Sequence, residues 1–344
     1  MNPEHLTNRS DDASSLVDHL TRRDFVACAA AGTAALFGRG EVPGGTSTGL
    51  SAGTGAGTVP PVPHGGESYA FTLGGRRCIA VLDGTHQYQA QRYFVNAPPE
   101  AMTRALARHR VPAADRIPSP FTCLAVADDA GGWTLIDTGL GGLSPAAGRL
   151  HLNLVAAGIP PASVSTVVLT HAHPDHIGGI VDGGGGLRYP NARFVMRAAE
   201  WAFWTSDAGL ARVDPLFATT ARRQLTPIRD RLTTVVSETE VAPDVTLAPA
   251  VGHTPGHAVA IVHPAREQLH FISDAVLHPI HLEEPDWETD YDMDPVQAAA
   301  AKRAVFGRAS GERALVLAFH FDPFPSLGRV ERRGRGWVWE PERV

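Results

Sequence analysis

The chain is poor in cysteine and in aromatic residues, and it has no long run of positive charge. Only 3 of its 344 residues are cysteines, and 7% are aromatic. None of the cysteines has the spacing of a metal site, which excludes a cysteine-ligated metal domain. The net charge is −6, and basic residues cluster only near the N-terminus and at 329–335, so nucleic-acid binding is not expected.

Two other signals are missing as well. The sequence has no G-x-S-x-G motif, so nothing in it indicates a nucleophilic serine on a strand–turn–helix. It also has no internal repeat of solenoid length. Hydrophobic residues make up 43% of the chain, which is enough for one large domain or at most two.

The cysteines leave one question open. Cys28 lies near the N-terminus, whereas Cys78 and Cys123 lie in apolar segments typical of strands. In an oxidising compartment Cys78 and Cys123 could form a disulfide, and otherwise they would be buried thiols. The sequence does not choose between these two states, because a disulfide depends on geometry.

The first 66 residues differ in composition from the rest. Arg22 and Arg23 precede an apolar stretch of small residues at 26–37, which resembles a twin-arginine export signal over 1–40. That stretch is shorter than the roughly 20 apolar residues that span a membrane. Residues 41–66 are rich in Gly, Ser, Thr and Pro and predict a flexible linker, with the folded domain at 67–344. We therefore expect the export machinery as a partner and a periplasmic or secreted location; the alternative is a buried helix with a chance Arg pair.

Four potential metal ligands lie within six residues, directly after an apolar run at 167–169. They are His171, His173, Asp175 and His176, in the order H-x-H-x-D-H. Imidazole nitrogens and carboxylate oxygens suit zinc and similar divalent ions. This order allows the first two side chains to face one ion and the last two to face another. The alternative, a polar turn after a strand, is disfavoured by three more ligand-type residues downstream.

These three residues follow apolar runs of the same kind. His253 follows 245–251, Asp274 follows 269–272, and His320 follows 314–319. The runs are short, partly β-branched and bounded by loop residues, so each predicts a buried strand. Four strands that deliver ligands at their carboxyl ends would bring them to one edge of a sheet. A lone buried histidine, by contrast, is more often a hydrogen-bonded core residue.

The rest of the pattern is typical of an α/β fold. Further strands are predicted at 69–71, 77–82, 121–127, 133–136, 163–169 and 194–196. Helices are predicted at 99–109, 144–157 and 296–308, with a helical region at 198–231. The segment 85–120 is long and mixed, and 182–186 is a Gly-rich surface loop.

The seven ligand-type residues resemble the dinuclear site of the metallo-β-lactamase-fold hydrolases, and matching segments run from about 80 to 339. The resemblance implies an αββα four-layer sandwich and two divalent metal ions. One ion would be held by His171, His173 and His253, the other by Asp175, His176 and His320, and Asp274 would bridge the two. Asp137, in the run Leu135-Ile136-Asp137-Thr138-Gly139, would orient the ligands by hydrogen bonds.

A narrower resemblance is to methyl parathion hydrolase and the related N-acyl-homoserine lactonases, through segments 273–276, 320–330 and 334–339. Asp322 departs from that branch as an additional residue before a Pro-Phe-Pro run, which weakens any transfer of substrate preference. Related lactonases also have a tyrosine shortly after the bridging aspartate that assists the leaving group. Here that tyrosine is missing, and His278 or His281 are the candidates to replace it. The same branch implies a homodimer.

The resemblance also implies a mechanism. Two divalent ions would lower the pKa of a bridging water and polarise a carbonyl or phosphoryl oxygen. Asp175, which would orient the nucleophile, and Asp274 are the predicted catalytic carboxylates. Zinc is the default metal, although manganese, iron and cobalt accept the same ligands. The expected substrate is a small molecule with a lactone, ester or phosphotriester group.

Aromatic side chains are the candidates for the substrate pocket. Trp201, Trp204 and Phe121, together with His278, would line an apolar mouth suited to acyl or aryl groups. The alternative is that these side chains pack the core.

Other functions stay open at this point. A metallo-β-lactamase fits the predicted export, but such enzymes generally lack a carboxylate at the position of Asp274. A glyoxalase-type thioesterase has that carboxylate but acts on a cytosolic substrate. An iron-dependent persulfide oxidase would need only one metal, and a non-catalytic metal-binding protein would not need all seven ligands.

Overall fold

The computed structural model describes residues 67–111 and 116–342. The predicted export signal at 1–40 and linker at 41–66 lie outside these residues, so both stay predictions. Within the described part of the chain, none of the helices combines the length and the apolar character needed to cross a membrane.

The first of two sheets has seven strands in chain order. Strands β1 to β4 pair antiparallel, whereas β4 to β7 pair parallel. The strands are β1 Ser68–Leu73, β2 Arg76–Gln89, β3 Arg116–Ala127, β4 Trp133–Ile136, β5 Val164–Val168, β6 Arg193–Arg197 and β7 Leu232–Val235.

The second sheet also has seven strands, ordered from β14 back to β8. Only β11 and β12 pair parallel, and all its other pairs are antiparallel. The strands are β8 Thr239–Ala242, β9 Val245–Pro249, β10 Ala258–Val262, β11 Leu269–Phe271, β12 Leu315–Leu317, β13 Leu327–Arg333 and β14 Gly336–Pro341. Since β9 and β11 are both antiparallel to β10, the strands β9, β11 and β12 run in the same direction.

Helices cover the sheets. They are α1 Ala90–Tyr93, α2 Pro99–Arg108, α3 Leu150–Ala156, α4 Pro174–Ile177, α5 Ala198–Thr205, α6 Asp207–Leu210, α7 Pro215–Leu225, α8 Ile280–Glu283 and α9 Pro295–Glu312. Short 3₁₀ turns occupy Gly141–Leu143, Pro161–Ser163, Thr226–Arg231 and Ser273–Ala275. Helix α9 begins at the side-chain cap of Asp294 and packs Val305 and Phe306 against the outer face of the second sheet.

The main apolar core lies between the two sheets. It joins residues of the first sheet, such as Leu124 and Val168, to residues of the second, such as Phe271 and Leu317. The Phe121 ring lies 5.9 Å from the Phe319 ring across this interface. Burying such side chains stabilises the fold by about 1.5–3 kcal/mol each. The predicted α/β fold and αββα sandwich are therefore confirmed.

Two predicted boundaries are wrong. The mixed segment at 85–120 contains the continuation of a hairpin, because β2 and β3 pair as far as Gln89 and Arg116. The helix expected from residue 144 begins only at Leu150. The buried Asp83 carboxylate accepts hydrogen bonds from the backbone N–H groups of Leu140, Gly148 and Leu150, which holds the preceding residues in a turn.

The cysteine question is also decided within the described residues. Cys78 on β2 and Cys123 on β3 are buried free thiols. In the hairpin register Cys78 lies opposite Val126, and Cys123 lies opposite Val81. Burial raises the pKa of the Cys78 thiol to about 12, so it is an unreactive core residue.

Candidate metal centre

Four strands end at one edge of the sandwich and carry the seven predicted ligands. The loop after β5 contains four of them, and the segments after β9, β11 and β12 contain one each. Strands β9, β11 and β12 are parallel to one another, so their carboxyl ends meet at a common edge. The predicted runs 245–251, 269–272 and 314–319 each contain the strand found there.

The structure gathers these side chains into two adjacent groups. Within each group, one ligand atom per residue lies within 4.8 Å of the others. The first group, here called the A group, is His171, His173, His253 and Asp274, and the second, the B group, is Asp175, His176 and His320.

Asp274 faces both groups with different oxygens. Its Oδ2 lies 3.2 Å from Nε2 of His253 and 3.8 Å from Nε2 of His171. Its Oδ1 lies 3.1 Å from Nε2 of His176 and 3.5 Å from Nε2 of His320. One carboxylate thus faces both groups, and its role as a bridging ligand stays a prediction.

Three buried atoms at the centre have no hydrogen-bond partner. They are Nε2 of His171, Nε2 of His176 and Oδ1 of Asp274. Unpaired buried polar atoms are costly and rare in folded proteins. Lone pairs of two imidazoles and a carboxylate that converge in this way fit divalent cations.

Hydrogen bonds fix the orientation of the ligand rings. Nδ1 of His176 donates to Oδ2 of Asp137 at 2.8 Å, which leaves Nε2 free to bind a metal. Asp137 also accepts hydrogen bonds from the backbone N–H and the hydroxyl of Thr170, at 2.9 and 2.8 Å. Asp137 therefore lies where it can orient His176, and the role that the resemblance implied for it stays a prediction.

A second orienting carboxylate was not predicted. Nδ1 of His253 donates to Oδ1 of Asp292 at 2.9 Å. Asp292 lies in an acidic loop, among Glu284, Asp286, Glu288 and Asp290, and nothing in the sequence distinguishes it from these neighbours. Only the fold shows which of the carboxylates meets the histidine.

Glu200 on α5 links the ligand loop after β5 to the ligand loop after β9. The sequence did not predict this residue either. Its Oε1 accepts hydrogen bonds from the backbone N–H of Ala172 and from Nε1 of Trp204, at 2.9 and 2.7 Å. Its Oε2 accepts from the hydroxyl of Thr254 at 2.7 Å and from the backbone N–H of Gly256 at 2.8 Å. Burial raises the pKa of Glu200, but these four donors oppose that shift by stabilising the charged form.

Tyrosines lie beside His320. The Tyr88 ring lies 6.0 Å from the His320 ring and stacks on Tyr93 at 5.2 Å. The hydroxyls of Tyr93 and Ser119 share a hydrogen bond of 3.1 Å, and Oγ of Ser119 lies 3.0 Å from Nδ1 of His320. Burial, with a further contribution from the Asp175 carboxylate, raises the pKa of Tyr88 well above its usual value. Tyr88 is therefore a neutral phenol next to the B group.

The ligand side chains shift one another's pKa values. Burial lowers the pKa of His253, but hydrogen bonds with Asp274 and Asp292 outweigh it and raise that pKa to about 9. Burial raises the pKa of Asp274, but His176 and His320 hold it well below its usual range. A divalent ion that binds here has to displace protons, so its affinity falls as the pH falls.

The predicted pocket residues lie in different places. Trp204 and Phe121 have no exposed surface and lie behind the ligands, with Trp204 bonded to Glu200 and Phe121 packed on His320. Trp201 is partly exposed and packs against the main core, so its place in a substrate pocket stays a prediction. His278 is almost buried, and its ring contacts those of Phe94 and His109.

The two histidines proposed to replace the missing tyrosine are poor proton donors. Burial lowers the pKa of His278 to about 3 and that of His281 well below its usual value. His278 accepts a hydrogen bond from the backbone N–H of Ile280, and His281 donates to the backbone oxygen of Tyr93. The additional residue Asp322 is exposed, just after the buried His320 and Phe321.

Solved structures share this fold. The hydrolase AbOPH of the β-lactamase superfamily aligns with a TM-score of 0.76 and 24% identity, over 82% of this chain and 99% of its own. AidC, a dizinc quorum-quenching lactonase in complex with a product, aligns with a TM-score of 0.73 and 24% identity, over 80% of this chain and 98% of its own. A probable metal-dependent hydrolase from Staphylococcus aureus aligns with a TM-score of 0.67 and 18% identity, over 80% of this chain and 99% of its own. No curated protein gives a significant sequence match.

The family profile of the metallo-β-lactamase superfamily matches residues 119–320. This segment is more than half of the chain, and it contains Asp137 and all seven residues of the A and B groups. The chain therefore belongs to the metallo-β-lactamase superfamily.

Proposed function

We propose that this protein is a dinuclear metal-dependent hydrolase that acts on a lactone, ester or phosphotriester. The observation that carries this proposal is Asp274, whose two oxygens face two separate groups of histidine and aspartate ligands. A site for a single ion would not need a carboxylate in this shared position. AidC, a dizinc lactonase with the same fold, supports a lactone as substrate.

Two divalent ions held by the A and B groups would activate water and polarise the substrate oxygen that develops negative charge. The residues of the chain would do the rest. Asp175 is the most exposed ligand, at 13% of its side chain, and its Oδ2 lies 3.5 Å from Nε2 of His320. It therefore lies where substrate enters and can accept a proton from the attacking water. Asp137 and Asp292 keep His176 and His253 in the tautomer that presents Nε2 to the ions.

The presence of Asp274 argues against a β-lactamase as the alternative. Zinc is the proposed metal because imidazole and carboxylate ligands suit it. Manganese, iron and cobalt bind the same ligands, and metal analysis distinguishes them from zinc.

The proposal is tested on protein of known metal content with three substrates in parallel: N-hexanoyl-homoserine lactone, methyl paraoxon and nitrocefin. We expect two metal ions per chain and turnover of the lactone or the phosphotriester. Chelation should abolish this turnover, and addition of the metal should restore it. Two ions with no turnover, or turnover of nitrocefin alone, would contradict the proposal.

We also propose export through the twin-arginine route, on the strength of Arg22, Arg23 and the apolar stretch at 26–37. Replacing Arg22 and Arg23 together by lysine should retain the protein in the cytoplasm, as measured by cell fractionation. Unchanged fractionation would rule out this route.

A further inference from the structure

The hydroxyl of Tyr88 has no hydrogen-bond partner within residues 67–111 and 116–342, although Tyr88 is only 7% exposed. Its oxygen is not among the fully buried atoms that lack a partner, so it keeps accessible surface. The Tyr93 hydroxyl, on the ring stacked against it, is instead bonded to Ser119. The unpaired hydroxyl of Tyr88 is therefore available to a molecule that enters the site.

The Tyr88 side chain lies next to the B group, with its ring 6.0 Å from the His320 ring. Burial raises the pKa of Tyr88, and among the neighbouring charges Asp175 raises it most, with a smaller contribution from Asp274. The Tyr88 ring meets the His320 ring edge-on. Tyr88 thus lies next to His320, whose Nε2 is 3.5 Å from Oδ2 of Asp175, the ligand with the largest exposed fraction.

The two histidines suggested by the sequence do not offer an equivalent donor at this edge. His278 and His281 contact Phe94, His109 and Tyr93 rather than any residue of the A or B group. The hydroxyls of Tyr93 and Ser119 are already used in positioning His320.

We propose that the Tyr88 hydroxyl donates a hydrogen bond to the leaving oxygen of the substrate; this role rests on the proposed function. When a lactone is hydrolysed, the oxygen of water bonds to the carbonyl carbon, and the carbonyl electron pair moves to its oxygen. When that pair returns, the ring C–O bond breaks and its electrons pass to the leaving oxygen. That oxygen receives the proton that the water lost to Asp175. Tyr88 keeps its own proton and stabilises the negative charge that forms on the leaving oxygen.

The test compares Tyr88→Phe with the wild type on two substrates that differ in leaving group. N-hexanoyl-homoserine lactone releases an alkoxide, which needs stabilisation, whereas p-nitrophenyl hexanoate releases a phenolate that leaves readily. We expect Tyr88→Phe to lower kcat on the lactone roughly 10- to 100-fold and on the nitrophenyl ester less than about threefold. If the wild type accepts only esters, ethyl hexanoate replaces the lactone.

Calorimetric binding of the ring-opened product, N-hexanoyl-homoserine, gives a readout that does not depend on turnover. Its Kd should rise on the order of tenfold in Tyr88→Phe, because the product hydroxyl loses its partner. The matched control is Tyr189→Phe. Tyr189 is also buried, and its hydroxyl has no hydrogen-bond partner among the described residues. The charged groups that shift its pKa are Cys123, Arg188 and Asp83, none of which belongs to the A or B group. Tyr189→Phe should behave as the wild type in both measurements.

Metal content and thermal unfolding must match between Tyr88→Phe and the wild type. An equal loss on both substrates would reduce Tyr88 to a packing role, and unchanged kcat and Kd would also overturn the proposal. A metal-replete wild type that turns over methyl paraoxon but neither the lactone nor the esters would overturn the role of Tyr88. A metal-replete wild type that turns over none of these substrates would overturn the proposed function itself, and the role of Tyr88 with it. The wild type alone decides that question, so the two failures are distinguishable.

Discussion

The two sheets supply the metal centre in different ways. The first sheet contributes four ligands from one segment after β5, residues 171–176, which overlaps the start of helix α4. The second sheet contributes one ligand from each of three strand ends, spread over residues 253–320. Local sequence order therefore places the first four ligands, whereas strand pairing has to place the other three.

The orienting carboxylates differ in the same way. Asp137 directly follows β4, the strand paired with β5, is fully buried, and accepts three hydrogen bonds. Asp292 lies in a loop with 7% of its side chain exposed, and it bonds one imidazole. The first sheet thus holds its ligands through its own strands, whereas the second relies on a loop packed against α9.

The largest effect is expected where the two regions share a residue. Asp274→Ala removes the carboxylate that faces both groups, so binding of both ions should weaken and kcat/KM should fall at least about 10³-fold. Metal content by mass spectrometry and kinetics on the preferred substrate check this. Asp207→Ala, which removes a fully exposed carboxylate, is the control and should change neither quantity. Full metal binding by Asp274→Ala would show that the two groups are independent.

The loop that carries Asp292 is held by Lys302, the single lysine of the chain. Nζ of Lys302 donates to the backbone oxygen of Trp287 at 3.0 Å, and burial lowers its pKa from 10.5 to about 8. Below pH 8 the folded state carries a buried charge that the unfolded state exposes. Between about pH 8 and 10.5 only the unfolded state keeps the proton, so the free energy of unfolding should rise with pH, by about 3 kcal/mol in all.

Lys302→Met should remove this rise. Urea unfolding at several pH values from 7 to 10, at equal metal loading, measures the difference between the two proteins. Tyrosines titrate near the upper end of this range, but they are the same in both proteins and cancel in the difference. Parallel pH profiles would show that Lys302 is neutral or solvated in the folded state.

Replacing each orienting carboxylate by its amide tests the comparison directly. We expect Asp137→Asn to weaken metal affinity about 100-fold and Asp292→Asn about 10-fold, because only Asp137 is rigidly held by further hydrogen bonds. Competition with a chromogenic chelator measures both affinities. Equal losses would show that a loop orients a ligand as firmly as the sheet does.

The smallest effect is expected at Glu200, which ties the two regions together. In Glu200→Gln, the amide nitrogen takes the place of one carboxylate oxygen and faces a donor, so stability should fall by about 1–2 kcal/mol. Metal affinity should fall by less than in Asp137→Asn. Chemical unfolding measures the first quantity, and the same chelator competition measures the second. An unchanged unfolding midpoint would contradict this linking role.

The fold was largely predictable, because its strands are apolar runs bounded by loop residues. The predicted strand at 163–169 and the runs before His253, Asp274 and His320 are examples, and each contains the strand that the structure shows. The extension of β2 and β3 to Gln89 and Arg116 was not predictable, since it depends on pairing between strands rather than on local pattern. The late start of α3 depends on Asp83, which lies 67 residues away from Leu150.

In the candidate site, too, some features follow from local sequence and others from contacts between distant residues. The sequence by itself determined the seven ligand-type residues and the strand ends that carry them, because residue type and local order are chemical properties of the chain. Asp137 was singled out only through the family resemblance. The tertiary structure alone decided that Asp292 meets His253, that Glu200 joins two loops, and that Trp204 and Phe121 lie behind the ligands. It also decided that the Tyr88 hydroxyl forms no hydrogen bond with residues 67–111 and 116–342. These contacts join residues far apart in the chain, and their formation depends on how the sheets pack rather than on any local spacing.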